Sequence, residues 1–538
     1  MSPTIRVMDR EAPWLVALGL MLGLLAVVCA SMLAGMNRVE YALDDPYIHM
    51  AIAKHLVEHG VWGVTRYEFS ASSSSLLWTL LLAGLSLVKI DGRMVPLALN
   101  VFSGAAVLYG FDVILRRRLV SPMTRTATLL CVVLVTPLVP VIATGMEHTL
   151  QILLFVGFLY LAACALAGNA GAGLDRWLLV LAPVLTGIRY EGMFPLALVC
   201  GAFVLKRRWL YAVALGAVGL APIVAFGLYS MSHGWYFFPN TILIKAKPPT
   251  EPLALLKYLV GFLGNGRYVG FPAIVRFPYI LSLFVALVLV VAVLWRRGRR
   301  LGDDIQVFAL LMLGALVLHM QFARINWFYR YEAYVYAGTI LAVVLAFHER
   351  FGAWLTPGKA WRTWVRPGAA LLLIAAPLGH GLKGLPNIPR SSRCIYEYEV
   401  QVARFLDRYY PGESVVLGEI GAPNYFADVR AFDYEGLGSI ESAHVLIRSG
   451  RLKPEDLARM ARERNAKIAF GHVDVWNEMG SLPEEWVFVG EWDAHDTWRK
   501  DWTERFYAID PAEADRLRRS LKEFSSQHLP WVTTRLAP

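Results

Sequence analysis

Residues 12–34 read APWLVALGLMLGLLAVVCASMLA, and ten residues further on the chain carries Asp44-Asp45-Pro46-Tyr47-Ile48. The first stretch is uncharged and long enough to cross a bilayer, which takes about 20 residues of helix. It exceeds the core of a typical signal peptide, about 7–15 residues. Arg6 and Arg10 precede it, so the excess of positive charge on the cytoplasmic side puts the N-terminus inside. Asp44 and Asp45 then emerge at the outer membrane surface. Two carboxylates there can take a proton from an acceptor hydroxyl or hold a cation against a phosphate. A membrane-embedded transferase is the first reading to test.

The composition fits that setting. Hydrophobic residues make up 56% of the 538 and charged residues 17%, against about 25% charged in soluble proteins. Much of the net charge of +10 sits in short clusters between apolar runs: Arg116 to Arg118, Lys206 to Arg208, and Arg296-Arg297 with Arg299-Arg300. Such clusters mark cytoplasmic loops, and nucleic acid is not an expected partner. Four of five cysteines lie in apolar runs and only Cys394 in the polar tail, so no disulfide is expected there.

The basic clusters thread the chain. Met94 to Leu115 runs inward to the three arginines. Thr126 to Ala143 returns outward and delivers Glu147-His148. Thr149 to Leu166 goes in, and Trp177 to Ile188 comes out to Arg189-Tyr190-Glu191-Gly192. Met193 to Leu205 goes in, and Trp209 to Tyr229 comes out to a loop with Pro239-Asn240-Thr241, Lys245 and Lys247. Pro278 to Trp295 goes in, and Ile305 to Met320 comes out to Arg330 and Glu332. Ala333 to Phe347 goes in and Ala369 to Leu378 comes out. Leu76 to Ile90 is too short to span and reads as a re-entrant or shallow helix. The expected architecture is a polytopic α-helical membrane protein of about eleven transmembrane helices over residues 1–384, with a first outer loop at 36–75. An extracytoplasmic α/β domain follows at 385–538.

This threading uses lysine and arginine clusters alone, yet it brings Asp44, Asp45, Arg93, Glu147, His148, Arg189, Glu191, Lys245, Lys247, Arg330 and Glu332 to the outer face. An ionised group at membrane depth costs about 2.5–3.5 kcal/mol on insertion scales, so a polar cavity at the outer leaflet or a set of aqueous loops is expected. Asp45 precedes Pro46, a favoured first helical residue, and the helix Pro46 to His59 ends at Gly60. Ile48, Ile52 and Leu56 lie on one face of it, as in an amphipathic helix on the membrane surface. Asp45 is then either helix cap or catalyst, and Asp44, without a capping duty, is the expected reactive carboxylate. Ser70 to Ser75 supplies hydroxyls or a plain loop. Glu147-His148 suits a supporting role or the holding of a sugar or cation. Arg189 and Glu191 either pair internally or leave Arg189 to grip a phosphate with paired donors. Lys245 and Lys247 run against the positive-inside trend and suit an anionic ligand. Arg330, among Trp327, Phe328, Tyr329 and Tyr331, suits an interfacial belt or a lipid-phosphate clamp. No Walker loop, nucleophile elbow or dinucleotide fingerprint is present.

In the tail, a helix to Tyr409 leads to strands at Ser414 to Leu417, Arg430 to Tyr434, Lys467 to Phe470, Trp486 to Gly490 and Arg505 to Ile509. Helices are expected after Gly421-Ala422-Pro423, at Pro454 to Asn465 and at Pro511 to Phe524. Acceptor recognition or a structural lid is its expected role.

Asp44-Asp45-Pro46-Tyr47-Ile48 with Ser75-Leu76-Leu77-Trp78, Thr144-Gly145-Met146-Glu147, Arg189-Tyr190-Glu191-Gly192 and Pro239-Asn240-Thr241 with Lys245 resemble, in order, motifs of the GT-C superfamily of polytopic glycosyltransferases. The likeness is greatest to its bacterial arabinofuranosyltransferase-like and protein-mannosyltransferase-like branches. Gly418-Glu419-Ile420-Gly421-Ala422 and Asp433-Tyr434-Glu435-Gly436-Leu437 resemble strands of their soluble domain. The resemblance implies inverting transfer of a sugar from a polyprenyl-phosphate donor to a glycan, lipid or protein acceptor at the outer face of a bacterial cytoplasmic membrane. The first-loop aspartates would be catalytic, and Glu147, His148, Arg189, Glu191, Asn240, Lys245, Lys247 and Arg330 would bind substrate. No cofactor is called for with certainty; a divalent cation, if used, falls to Asp44 and Asp45. The rival classes are a lipid-linked sugar transporter or flippase, which favours repeats and mid-membrane charges, and a non-catalytic envelope assembly protein.

Overall fold

The computed structural model describes residues 12–87, 92–168, 173–246, 274, 276–298, 302–351, 365–473, 482–494, 502–525 and 532–537. In chain order its first helices are α1 (Pro13–Met36), α2 (Asp45–His59), α3 (Leu76–Ser86), α4 (Val95–Arg117), α5 (Pro122–Val135), α6 (Leu138–Ala143), α7 (His148–Leu166) and α8 (Gly173–Ile188). Next come α9 (Met193–Leu205), α10 (Trp209–Ser232), α11 (Asn240–Ala246), α12 (Pro278–Arg296), α13 (Asp304–Phe322), α14 (Ala333–Phe347), α15 (Val365–Glu397) and α16 (Glu399–Tyr409). The chain then alternates: β1 (Ser414–Leu417), α17 (Ala422–Phe426), β2 (Arg430–Asp433), α18 (Ile440–Ser449), α19 (Pro454–Glu463), β3 (Ile468–His472), β4 (Val487–Ala494), β5 (Trp502–Ala508), α20 (Ala514–Ser525) and β6 (Val532–Leu536).

The apolar runs that the sequence threads through the membrane are helical, with one break, in the run 126–143. Among the described residues, seven helices are long and apolar enough to cross a membrane: Pro13–Met36, Gly92–Arg117, His148–Leu166, Trp209–Ser232, Pro278–Arg296, Asp304–Phe322 and Gly368–Tyr409. α5, α8, α9 and α14 have 14, 16, 13 and 15 residues. At 1.5 Å per residue they are about 20–24 Å long, short of a ~30 Å hydrocarbon core. Among the described residues, length and composition by themselves support seven of the about eleven expected spans. The run 126–143 is interrupted at Pro137, which offers no N–H and clashes with a preceding helical turn, so it becomes α5 and α6. α3 has 11 residues, about 16 Å, and does not span by itself.

The chain divides into two compact units. One comprises Met1–Val28, Leu97–Val224 and Pro248–Pro386. Its centre is α7, which buries residues all around its circumference, from Thr149, Ile152 and Phe155 to Phe158 and Leu159, as a helix apolar on every side must. α8, α9, α13 and α14 pack on it. At one end of these helices Arg118 pairs with Asp304, the first residue of α13, and donates to Tyr160 at 3.3 and 3.2 Å. Arg208 pairs with Asp175 in the first turn of α8 at 2.5 Å. The basic clusters used for threading thus meet helix ends on a common side.

The second unit comprises Cys29–Pro96, Ala225–Lys247 and Asn387–Pro538. The residue at which the sequence places the tail boundary, 385, falls inside the 33-residue α15. The sheet runs β2-β1-β3-β5-β4-β6. β1 pairs parallel with β2 and β3, and the other neighbours are antiparallel. Alternation sorts β1: Val415 and Leu417 join one core, Val416 the other. The first core gathers Phe405 of α16, Trp492, Phe506 and Phe524, with Trp492 stacked on Phe524 at 5.6 Å. The second holds Leu457 and Met460 of α19.

Ile48 and Ile52 of α2, with Trp62 and Val64, belong to the first of these cores. α2 is therefore not the surface-lying amphipathic helix that its sequence suggests. Pro46 to Ala53 are all buried, because the apolar stripe has a protein partner and the remaining side, Tyr47 and His49 among it, is covered as well. Its C-terminus is as expected: Gly60 adopts φ 70° and its N–H reaches the carbonyl of Leu56 at 3.1 Å.

Candidate functional site

The acidic turn is built by the start of α2. Asp44 is the capping residue and Asp45 the first residue of the helix, and the Asp44 side chain makes no cap bond to the helix it precedes. This corrects the sequence assignment of the cap to Asp45, while the Asp44 side chain has no capping duty toward α2, as the sequence reading expects. The Asp44 carboxylate is buried. It accepts the Gly421 N–H at Oδ2 and the Ala422 N–H at Oδ1, each at 2.6 Å. Gly421 has to be glycine here: a Cβ would stand 2.3 Å from the Asp44 carbonyl oxygen and 2.6 Å from its Oδ1. Gly421→Ala is expected to cost about 1–3 kcal/mol, the range for overpacking a filled site, seen as a lower thermal midpoint in detergent; an unchanged midpoint would disprove the contact. Asp45 is only half-buried.

Burial and the charge of Glu419 push the Asp44 proton affinity well above the usual aspartate range, with Asp45 adding to the rise; the Ala422 and Gly421 N–H groups pull it back. Glu419 follows β1. Asp433, at the end of β2, plays a similar structural part, accepting the N–H groups of Glu435 and Gly438, each at 2.7 Å. Burial raises it to about 7 against those bonds. The segments that leave the carboxyl ends of these parallel strands are thus tied down by carboxylates, and such strand ends are the usual location of a site in an α/β sheet.

Asn240 joins this region. Its side-chain N–H donates to the Gly436 carbonyl at 2.9 Å, and its own N–H bonds the Ala71 carbonyl at 3.1 Å. Gly436 has φ 75°. The serine run is no plain loop. Ser72 donates to the Leu437 carbonyl at 2.9 Å, and Ser73 lies 3.2 Å from His49 Nδ1 and 3.0 Å from Thr79 Oγ1. His49, 2.8 Å from Thr79, went unnoticed in the sequence because a histidine amid the apolar residues of a helix carries no spacing signal. The Lys245 side chain and Lys247 lie outside the described residues. Among the described residues no three acidic, histidine or cysteine side chains could hold a metal ion. Both Asp44 oxygens already face N–H donors, so a cation does not fit that carboxylate and no step is assigned to one.

The remaining candidates meet in the other unit. Glu147, the N-terminal cap position of α7, is fully buried. Arg189, just past α8, donates to Glu147 at 2.8 Å and to Glu191 through Nε at 3.0 Å and Nη2 at 2.6 Å. The guanidinium stands 5.7 Å from the Tyr331 ring, which lies 5.7 Å from the His148 ring. Arg330 donates to the Tyr331 hydroxyl at 3.3 Å. His319 near the end of α13 bonds the Tyr334 hydroxyl at 3.2 Å. Glu147, His148, Arg189, Glu191 and Arg330 thus gather at one end of their helices, opposite Arg118 and Arg208. With its fork on two carboxylates, Arg189 is an ion-pair centre in this structure rather than an open phosphate grip.

One domain-family model matches the chain, a domain of unknown function (DUF8728), over residues 391–509. No curated protein matches by sequence. Among solved structures, the Archaeoglobus fulgidus oligosaccharyltransferase in its apo form is similar at a TM-score of 0.48 and 10% identity, over 91% of this chain and 74% of that one. The archaeal oligosaccharyltransferase AglB from the same organism, in complex with an inhibitory peptide and a dolichol-phosphate, gives 0.48 and 13% over 92% and 74%. Likenesses at this level assign no activity.

Proposed function

We propose that the chain is a polytopic, GT-C-like glycosyltransferase that moves a sugar from a polyprenyl-phosphate donor to a hydroxyl-bearing acceptor at the outer face of a bacterial cytoplasmic membrane. The observation that carries the reading is the Asp44-Asp45 turn: a carboxylate oriented by two main-chain N–H groups, with burial and neighbouring acids raising its proton affinity, in a chain that has helices apolar enough for a membrane. A base works best when its pKa lies near the operating pH. The acceptor oxygen attacks the anomeric carbon as its proton passes to Asp44, and the bond to the phosphate oxygen breaks with inversion. Polyprenyl phosphate leaves with the electron pair, its charge met by cations. Lys245 and Lys247 are assigned that part. The transporter reading is disfavoured because Glu147, Arg189, Glu191 and Glu332 sit at helix ends rather than midway along a path.

The test is turnover of short-chain prenyl phosphates of arabinofuranose, mannose and glucose by the purified protein. One of them should be consumed with release of prenyl phosphate. Turnover of diphosphate-linked oligosaccharides alone would reject the monophosphate donor. In the active reaction, Asp45→Asn removes a like charge beside Asp44. The Asp44 pKa should fall, and the acid limb of kcat should move to lower pH. A limb that stays in place would separate Asp45 from the base.

A further inference from the structure

A cavity of about 470 Å³ lies within the second unit, where α2, α3, the 92–95 segment and α17 meet. That size is within the range of small-molecule sites. Met50, Ala53, Val57, Leu82 and Phe426 form its apolar wall. Lys54, Arg93, Ser86 and Glu58 supply its polar groups, two cations against one acid. Lys54 donates to the Tyr425 carbonyl at 3.0 Å and stands 5.8 Å from the Tyr425 ring centre. The Arg93 main chain is fixed, its carbonyl accepting the Tyr41 hydroxyl at 2.5 Å, while its side chain is exposed.

The surroundings of this cavity indicate what enters it. Leu80 and Leu81 of α3, Leu87 just after it, and Met94 are exposed apolar side chains, at 42%, 38%, 69% and 41% of their full area. Four such residues on one short stretch, in a chain with membrane-length helices, mark a surface that meets acyl chains rather than water. A phosphate held by Lys54 and Arg93 would therefore have its hydrocarbon beside Leu82 and that leucine surface. The site is separate from the acidic turn. Asp45 and Lys54 are nine residues apart on α2, which is about 13 Å along the axis and half a revolution around it.

We propose that this cavity binds a phosphate monoester, with the acyl chain of an anionic membrane lipid on its apolar wall. Lys54 and Asp44 also hold opposite ends of α17, Lys54 at the Tyr425 carbonyl and Asp44 at the Gly421 and Ala422 N–H groups. Occupancy of the cavity therefore bears on the segment that orients Asp44.

The experiment is calorimetric titration of the full-length protein in nonionic detergent with dihexanoylphosphatidic acid, dihexanoylphosphatidylcholine and inorganic phosphate. The phosphatidic acid should bind, and the phosphatidylcholine should bind about tenfold more weakly or not at all. Lys54→Met with Arg93→Met should weaken phosphatidic acid by about tenfold or more, the loss of a hydrogen bond to a charged group. Arg93→Met alone, at an exposed side chain, leaves folding intact and should show part of that loss; Lys54→Arg should retain binding. Phosphatidic acid binding more tightly than inorganic phosphate identifies the lipid as the source, and equal affinities identify free phosphate. Equal binding of phosphatidic acid and phosphatidylcholine, or no effect of Arg93→Met and of the double variant, overturns the site. None of these readouts depends on sugar transfer.

Discussion

Asp44→Asn should lower kcat for sugar transfer by about 10²–10⁴, the usual contribution of a positioned general base, while the protein still inserts and purifies as a folded species. The substitution changes one acceptor oxygen into an N–H₂ group, which then faces the N–H of Gly421 or Ala422 where a bond of 2.6 Å stood. Leaving that buried donor without its acceptor costs about 1–3 kcal/mol. The two effects can be told apart. Gly421→Ala disturbs the same contact but keeps a carboxylate that can take a proton, so it should lower the thermal midpoint similarly but reduce kcat much less. If Gly421→Ala and Asp44→Asn lose the same activity, Asp44 acts by holding the α17 segment, and the proton goes elsewhere. If Asp45→Asn alone abolishes turnover, the half-exposed neighbour is the base.

The second large effect is on stability. Arg189→Met leaves Glu147, with no exposed surface, and Glu191 without the guanidinium that joins them. Breaking a buried ion pair on one side costs about 3–5 kcal/mol, because the remaining charge stays desolvated. Unfolding by graded sodium dodecyl sulfate in mixed micelles should show that loss. Replacing all three at once, Arg189→Met with Glu147→Gln and Glu191→Gln, removes the stranded charges and should recover most of it. A triple variant as unstable as Arg189→Met would mean that the cluster contributes through its individual hydrogen bonds rather than through charge balance.

Much of the secondary structure was legible along the chain. α9 and α14 begin and end where the sequence places them, at Met193 and Leu205 and at Ala333 and Phe347. Apolar blocks bounded by Arg-rich clusters leave little choice of state. β1 was also placed at Ser414 to Leu417, since a short β-branched run between Pro411-Gly412 and Gly418 has few alternatives. α18 and β6 were not recognised. Ile440 to Ser449 mixes apolar, charged and polar residues in ten positions, and Val532 to Leu536 alternates over five; both are too short for periodicity to stand out. α15 was read as a short run because Pro377, Pro386 and Pro389 interrupt the apolar pattern, yet the helix continues through them.

By itself the sequence determined that the chain has helices of membrane length, which ends of them carry the arginines, that a strand–helix domain closes the chain, and that an acidic pair follows the first span. These are local properties, set by hydropathy, period and turn residues within one window. Only the tertiary structure decided what the acids do. The donors to Asp44 lie at Gly421 and Ala422, 377 and 378 residues away, and no local pattern links them. The stripe Ile48, Ile52, Leu56 specified a buried face but not its partner, which turned out to be the core shared with Phe405 and Trp492. Likewise Arg189 was legible as a cation, but its neutralisation required Glu147, 42 positions earlier in the chain. Apolar burial is non-directional and can be read from composition and spacing. A hydrogen bond or ion pair needs two groups within about 3 Å, and that distance exists only once the chain has folded.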